Sequence, residues 1–207
     1  MDKSSSKLRL TCPSKKAHSL LPFQLIISSS AMHLGKKLAI LFFFLGFGSA
    51  MAQEAEVLLK AHHQKLKEAM LYTLEVAEKM PEAQYGYRPT PEEMSFGEQL
   101  LHLGDNLVWL SSNYLGEKPL PHRSKVEGQA INKAEVMRLL AESYGFALRE
   151  LEVLDEESLT KEFPWRGGVM NKIQFLNLIQ DHQTHHRAQV IVYLRLNQVV
   201  PPAYRGW

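Results

Sequence analysis

Residues 171–197 read NKIQFLNLIQDHQTHHRAQVIVYLRLN, and this stretch decides the fold class. Phe175, Leu178, Ile179, Val190, Tyr193 and Leu196 recur at helical spacing, while Asn177, Gln180, Thr184, Arg187 and Arg195 fall on the opposite face. The helix starts near Asn171, with Gln174 three residues on, and stops before Pro201-Pro202. His182 and His186 are four apart, so their rings stand one turn above each other. At about 100° per residue, His182 sits at the centre of the apolar face and His186 about 40° from it. Both rings point into the bundle, where a charged or half-satisfied imidazole is costly. A shared metal ion relieves that cost, since two imidazoles at this spacing converge on one ion with bonds of about 2.0–2.1 Å.

Three more amphipathic helices precede it. One runs from about Glu54 to Met80 and ends at Pro81, with Leu59, His63, Leu66, Met70, Leu74 and Ala77 on one face. A second opens on a capping box, Ser95-Phe96-Gly97-Glu98, and carries Phe96, Leu100, Leu103, Leu107, Leu110 and Tyr114. Gly116, Pro119 and Pro121 end it. A third starts near Asn132, again with an acidic residue, Glu135, three positions on. It bears Val136, Leu139, Leu140, Ala147 and Leu151 and reaches about Leu154. No segment has a convincing strand pattern. Residues 155–170, with Phe163, Pro164, Trp165 and Gly167-Gly168, read as a small turn or hairpin. Connections at 81–94 and 117–131 are long enough to cross an end of the bundle. The expected architecture is an all-α four-helix bundle over residues 53–207.

Upstream, Lys36-Lys37, the apolar run Leu38 to Gly48 and Ala50-Met51-Ala52 follow the order of a secretory signal peptide over 32–52, cleaved before Gln53. The apolar run is too short for a stable span, which needs about 20 residues. Residues 1–31 are rich in Ser and Lys, and Met32 is placed to be the true start. The expected location is therefore outside the cytoplasm, periplasmic or secreted, with no membrane anchor after cleavage. Residues 1–52 hold seven of the 24 Lys and Arg but one of the 22 Asp and Glu, which leaves 17 basic against 21 acidic residues in 53–207, a net charge of −4. An acidic domain argues against a nucleic-acid partner, which calls for a basic patch. The one cysteine, Cys12, lies upstream, so 53–207 has neither a disulfide nor a thiol nucleophile.

A third ligand has to come from another helix. His102 flanks the stripe of the second helix, and His63 lies inside the stripe of the first. Spacing alone leaves both open, and with seven histidines in 53–207 an H-x-x-x-H pair also arises by chance. His185 reads as a flanking residue, Arg187 as solvent-facing or ion-pairing, and Trp109 and Tyr193 as core. Asp105 and Asp181 are the carboxylates nearest the pattern, able to orient ligand rings through their second nitrogens.

Arg88-Pro89-Thr90-Pro91, Ser95-Phe96-Gly97-Glu98, Leu101-His102 and Asp181-His182-x-x-His185-His186-Arg187-Ala188-Gln189 together resemble the DinB-like (YfiT-like) family of metal-binding four-helix bundles. The resemblance extends over most of 54–207; Ala188 stands where many relatives have glycine. It implies that His102, and not His63, completes a site with His182 and His186 for one divalent ion. Zinc is the first expectation; nickel, manganese and iron also suit three imidazoles. The resemblance implies an enzyme acting on a small molecule, by hydrolysis or by transfer of a low-molecular-weight thiol, and makes a homodimer plausible. The competing expectation is a non-catalytic metal-binding or interaction module; an open pocket beside the ion favours the enzyme.

Overall fold

The computed structural model of the chain describes residues 29–116 and 132–206, with side chains from Gln53 onward. The chain divides into two units, Met1–Phe44 and Leu45–Trp207. The core and the histidine cluster belong to the second. The described elements are α1 (Ser29–Lys79), α2 (Phe96–Leu110), α3 (Lys133–Glu152), α4 (Glu156–Leu159), β1 (Glu162–Trp165), β2 (Gly168–Asn171) and α5 (Lys172–Leu196).

The four long helices are those expected, but two features correct the all-α four-helix reading. There are five helices among the described residues, because Asp155 caps the single turn α4 by accepting from the Ser158 N–H. The segment read as a small turn or hairpin is a two-stranded antiparallel hairpin, with Glu162 opposite Asn171 and Trp165 opposite Gly168. Its turn residues, Arg166 and Gly167, have φ of 45° and 85°. Two successive left-handed residues give the tight turn whose twist matches a hairpin. Pro164 inside β1 hid the strand, since proline cannot donate to a ladder; a two-stranded ribbon has only edges and tolerates it.

The first helix begins earlier than Glu54, at Ser29, because no proline interrupts the intervening sequence. The signal-peptide reading of 32–52 concerns side chains outside the described set, and residues 1–28 and the crossing segment 117–131 lie outside it altogether. Among the described residues, no helix is long and apolar enough to cross a membrane.

All three expected caps form. Ser95 and Glu98 close a reciprocal box, and so do Asn171 and Gln174. Asn132 accepts from the Glu135 N–H, but Glu135 turns its carboxylate to Arg138 instead of back to the cap. The core joins Val76, Met80, Phe96, Leu100, Leu103, Tyr144, Phe175 and Leu194, each at most 2 % exposed. Gly104 lets α2 approach α3 closely, since a Cβ there would stand 3.0 Å from Ser143 Oγ.

The buried face of α1 differs from the apolar stripe. His62, Leu66, Thr73, Val76 and Met80 are buried, whereas His63 is only half-buried and pairs with Glu152 at 3.3 Å. Two polar residues could take core positions because partners meet them: Gln180 Nε2 lies 2.7 Å from His62 Nδ1, and Tyr144 OH lies 2.9 Å from Thr73 Oγ1. On α5, Leu176 and Leu194 are buried and Leu196 is 54 % exposed, so the apolar face ends a turn early. After Leu110 the second helix widens into a π-helical turn, Ser111–Leu115. The extra residue shifts the seam: Leu115 is buried, and Tyr114 moves half out of the core.

Since the Ser95 box fixes the start of the helix that carries His102, Ser95→Ala is expected to lower unfolding free energy by about 1 kcal/mol. Chemical denaturation checks this; an unchanged midpoint would mean the cap contributes nothing here.

Candidate metal centre

Three imidazoles meet between α2 and α5. Each of His102, His182 and His186 offers a ring nitrogen within 4.8 Å of the others. Ring centroids are 5.2 Å apart for His102–His182, 4.6 Å for His102–His186 and 4.4 Å for His182–His186. His186 is buried; His102 and His182 are half-buried. His63 lies elsewhere, against Glu152 on α3.

Burial holds His182 and His186 neutral. It lowers the His182 pKa to about 3, with repulsion from His186, His102 and His185 adding to the shift. The His186 pKa is lowered to about 4, by burial first and by His102 and His185 next. A neutral imidazole keeps a lone pair, which is the form a cation needs.

A directed chain of hydrogen bonds assigns the tautomer of His186. The Met94 carbonyl can only accept, so Tyr193 OH donates to it at 3.2 Å. Tyr193 oxygen then accepts from Gln99 Nε2 at 3.4 Å, which leaves Gln99 Oε1 facing His186 Nδ1 at 2.6 Å. Nδ1 therefore carries the proton, and Nε2 keeps the free lone pair. His182 Nδ1, in contrast, is buried with no hydrogen-bond partner. An orphaned nitrogen beside two other imidazoles fits a divalent cation as the missing partner.

Gln99 is the functional residue that the sequence reading passed over. It is fully buried, one turn before His102, on a helix face otherwise made of Phe96, Leu100 and Leu103. A polar residue within an apolar stripe was the available signal. Of the two carboxylates considered for that orienting role, one stands away from the cluster. Asp181 is exposed and lines a different groove, between α5, α1 and the C-terminal tail. Asp105 is half-buried on α2. His185 is exposed and stands edge-on to His186, with centroids 4.9 Å apart. Arg187 departs from its expected role: its guanidinium lies over the Tyr72 ring at 5.3 Å and reaches Thr73 and Thr184. Tyr193 is core as expected, with its hydroxyl committed to Gln99 and Met94.

Two outcomes are expected. Gln99→Leu removes the acceptor that sets the His186 ring and should weaken metal affinity about 10- to 100-fold, measured by competition with a chromogenic chelator; unaltered affinity would show that Gln99 does not orient the ring. The second concerns pH. The unfolded chain takes up protons on these histidines below about pH 6.5, whereas the folded rings refuse them until about pH 4 and below. Protons then favour the unfolded chain, so stability present above pH 6.5 is lost as pH falls. Metal-free protein should show a falling melting temperature from pH 7 to 5, before carboxylates titrate, and His182→Gln should flatten that slope; a wild-type slope in the variant would count against the assignment.

The fold has solved counterparts, and the sequence has a curated relative. A DinB-like protein from Bacillus cereus ATCC 10987 superposes with a TM-score of 0.62 at 16 % identity, covering 70 % of this chain and 97 % of that one. The DinB-like protein YjoA from Bacillus subtilis superposes with a TM-score of 0.56 at 20 % identity, covering 71 % and 99 %. By sequence, the uncharacterized protein YjoA of Bacillus subtilis (strain 168) is 29 % identical over 127 residues, which are 59 % of this chain and 80 % of YjoA. The DinB superfamily model matches residues 65–190, more than half of the chain, and that span holds all three clustered histidines. With the same helical fold and this match, the chain belongs to the DinB superfamily.

Proposed function

We propose that this chain is an exported, metal-dependent enzyme that works on a small molecule at His102, His182 and His186, by hydrolysis or by transfer of a low-molecular-weight thiol. One observation carries the enzyme reading. His182 is shared between the cluster and a cavity of about 410 Å³ walled by Trp109, Tyr114 and Trp165. A purely structural ion is closed off by four protein ligands, whereas three protein ligands with space alongside are the pattern of a working site. A divalent ion held there would supply Lewis acidity toward a water, a thiol or a carbonyl. Zinc is the leading ion, with nickel, manganese and iron the other candidates.

The protein's own groups have distinct parts in this reading. Gln99 and Tyr193 hold the His186 ring in one tautomer. Burial keeps His182 and His186 unprotonated. Export is supported by the order of Lys36-Lys37, the apolar run and Ala50-Met51-Ala52 in the sequence. The net charge of −4 in 53–207 favours a small-molecule substrate over a nucleic acid.

Elemental analysis of untagged protein purified without chelator should find about one equivalent of a transition metal per chain. His102→Ala and His186→Ala should each lose it while keeping their helical circular dichroism. Metal retained in both variants would refute the ligand set. The metal-loaded protein is then assayed with thiol–electrophile pairs and with activated esters and amides. Full occupancy without turnover of either class would retire the enzyme reading in favour of a binding module.

A further inference from the structure

The cavity beside His182 has a chemistry of its own. Its walls include Trp109, Tyr114 and Trp165, and its edges Asn106, Arg166 and Leu178. The rings are held in place from behind. Tyr114 stacks flat on Phe175, with centroids 3.9 Å apart and planes 6° apart. Trp165 meets the same Phe175 edge-on at 5.4 Å and Tyr114 at 5.5 Å. Two departures from regular helix and strand create this wall. The π-turn swings Tyr114 out of the core seam, and the hairpin brings Trp165 over it. Trp109, expected to be core, is half-buried and faces this space.

The polar groups of the cavity are specific. Asn106 Oδ1 is buried with no hydrogen-bond partner, and it stands one turn beyond His102 on α2. A buried acceptor left unmet costs free energy unless a donor reaches it. Arg166 sits in the left-handed turn with its guanidinium 5.5 Å from the Trp165 ring centre. It forms no ion pair among the described residues, and no carboxylate lines the cavity. The requirements are thus a flat apolar body, an N–H or O–H donor, and a negative charge at the rim.

We propose that this cavity is the substrate pocket and that it takes an aromatic acid bearing a hydroxyl or amino group, with the ring against Trp109, Tyr114 and Trp165, the donor on Asn106 Oδ1 and the acid on Arg166. This rests on the metal-enzyme reading only in calling the ligand a substrate; the pocket itself is independent of the ion. A cavity of about 410 Å³ admits a two-ring compound, within the usual range of small-molecule sites.

Three probes separate the contributions: 6-hydroxy-2-naphthoate, its neutral methyl ester, and 2-naphthoate, which lacks the donor. Binding is followed by tryptophan fluorescence and calorimetry on the whole protein, metal-loaded and after chelation, and on His102→Ala. The hydroxy acid should bind saturably, one per chain. Arg166→Gln should weaken it about three- to fivefold, as for an exposed ion pair, and leave the ester unchanged. Asn106→Leu should weaken it about tenfold but spare 2-naphthoate. Trp165→Ala should weaken all three about tenfold or more. Persistence of these patterns in His102→Ala would uphold the pocket whatever becomes of the metal reading. No saturable binding to the wild type, or binding indifferent to Trp165→Ala and Asn106→Leu, overturns the pocket even if the metal is present at full occupancy. Binding that vanishes in His102→Ala yet ignores Arg166→Gln would put the acid on the metal and overturn the part given to Arg166.

Discussion

The hydrogen bond between Gln99 Oε1 and His186 Nδ1, 2.6 Å long and shielded from solvent, joins the α2–α5 packing to the chemistry of the centre. Gln99 is a polar side chain at the heart of an apolar interface, and such a group is tolerated only when its atoms are met. Here the carbonyl oxygen serves His186 and the amide nitrogen serves Tyr193. The same contact therefore fixes how the two helices are rotated, which nitrogen of His186 is free, and where His102, one turn on from Gln99, stands relative to the other rings. Slip α2 along α5 by one turn and both Gln99 and His186 lose their partners together.

A second buried polar layer ties in the remaining helices. Tyr144 of α3 donates to Gln183 of α5 at 2.5 Å and lies 2.9 Å from Thr73 Oγ1 of α1, while Gln183 donates to the Leu103 carbonyl of α2. Burial pushes the Tyr144 hydroxyl up to about 12, so it stays protonated and remains a donor. Leucines and valines around it supply the bulk of the stabilisation but are indifferent to small sliding movements. The network is not indifferent, because each displaced partner leaves a desolvated dipole. A histidine cluster whose nitrogens lie within 4.8 Å of one another needs that kind of constraint.

Most of the helical framework was legible because its signals are local. The Ser95–Glu98 and Asn171–Gln174 boxes, Pro81 and Pro201 mark ends that the structure respects. His182 and His186 could be paired from spacing alone. His102 could not be preferred over His63 that way, because the choice depends on the rotation of α1, and that rotation is set by His62 and Thr73 finding Gln180 and Tyr144 across the core. Apolar periodicity cannot see polar residues that are buried by virtue of partners far away in sequence. Gln99 was missed for the same reason. A turn or hairpin at 155–170 was legible from Gly167-Gly168 although Pro164 hid its strands, whereas the π-turn leaves no compositional trace in Ser111 to Leu115, so the aromatic wall they build together emerged only in three dimensions.

That π-turn follows the part of α2 that carries His102, Asn106 and Trp109, and it sets where Tyr114 joins them at the cavity. A one-residue insertion inside a helix rotates everything after it while leaving everything before it in register. Tyr114 is thus adjustable separately from His102 along a single helix. Substitutions in Ser111–Leu115 or in the Arg166–Gly167 turn can recut the aromatic surface without disturbing the residues that gather the three imidazoles. Such a division lets one scaffold drift between ligands of different shape while its chemical apparatus stays intact, a modularity written into a single extra backbone step.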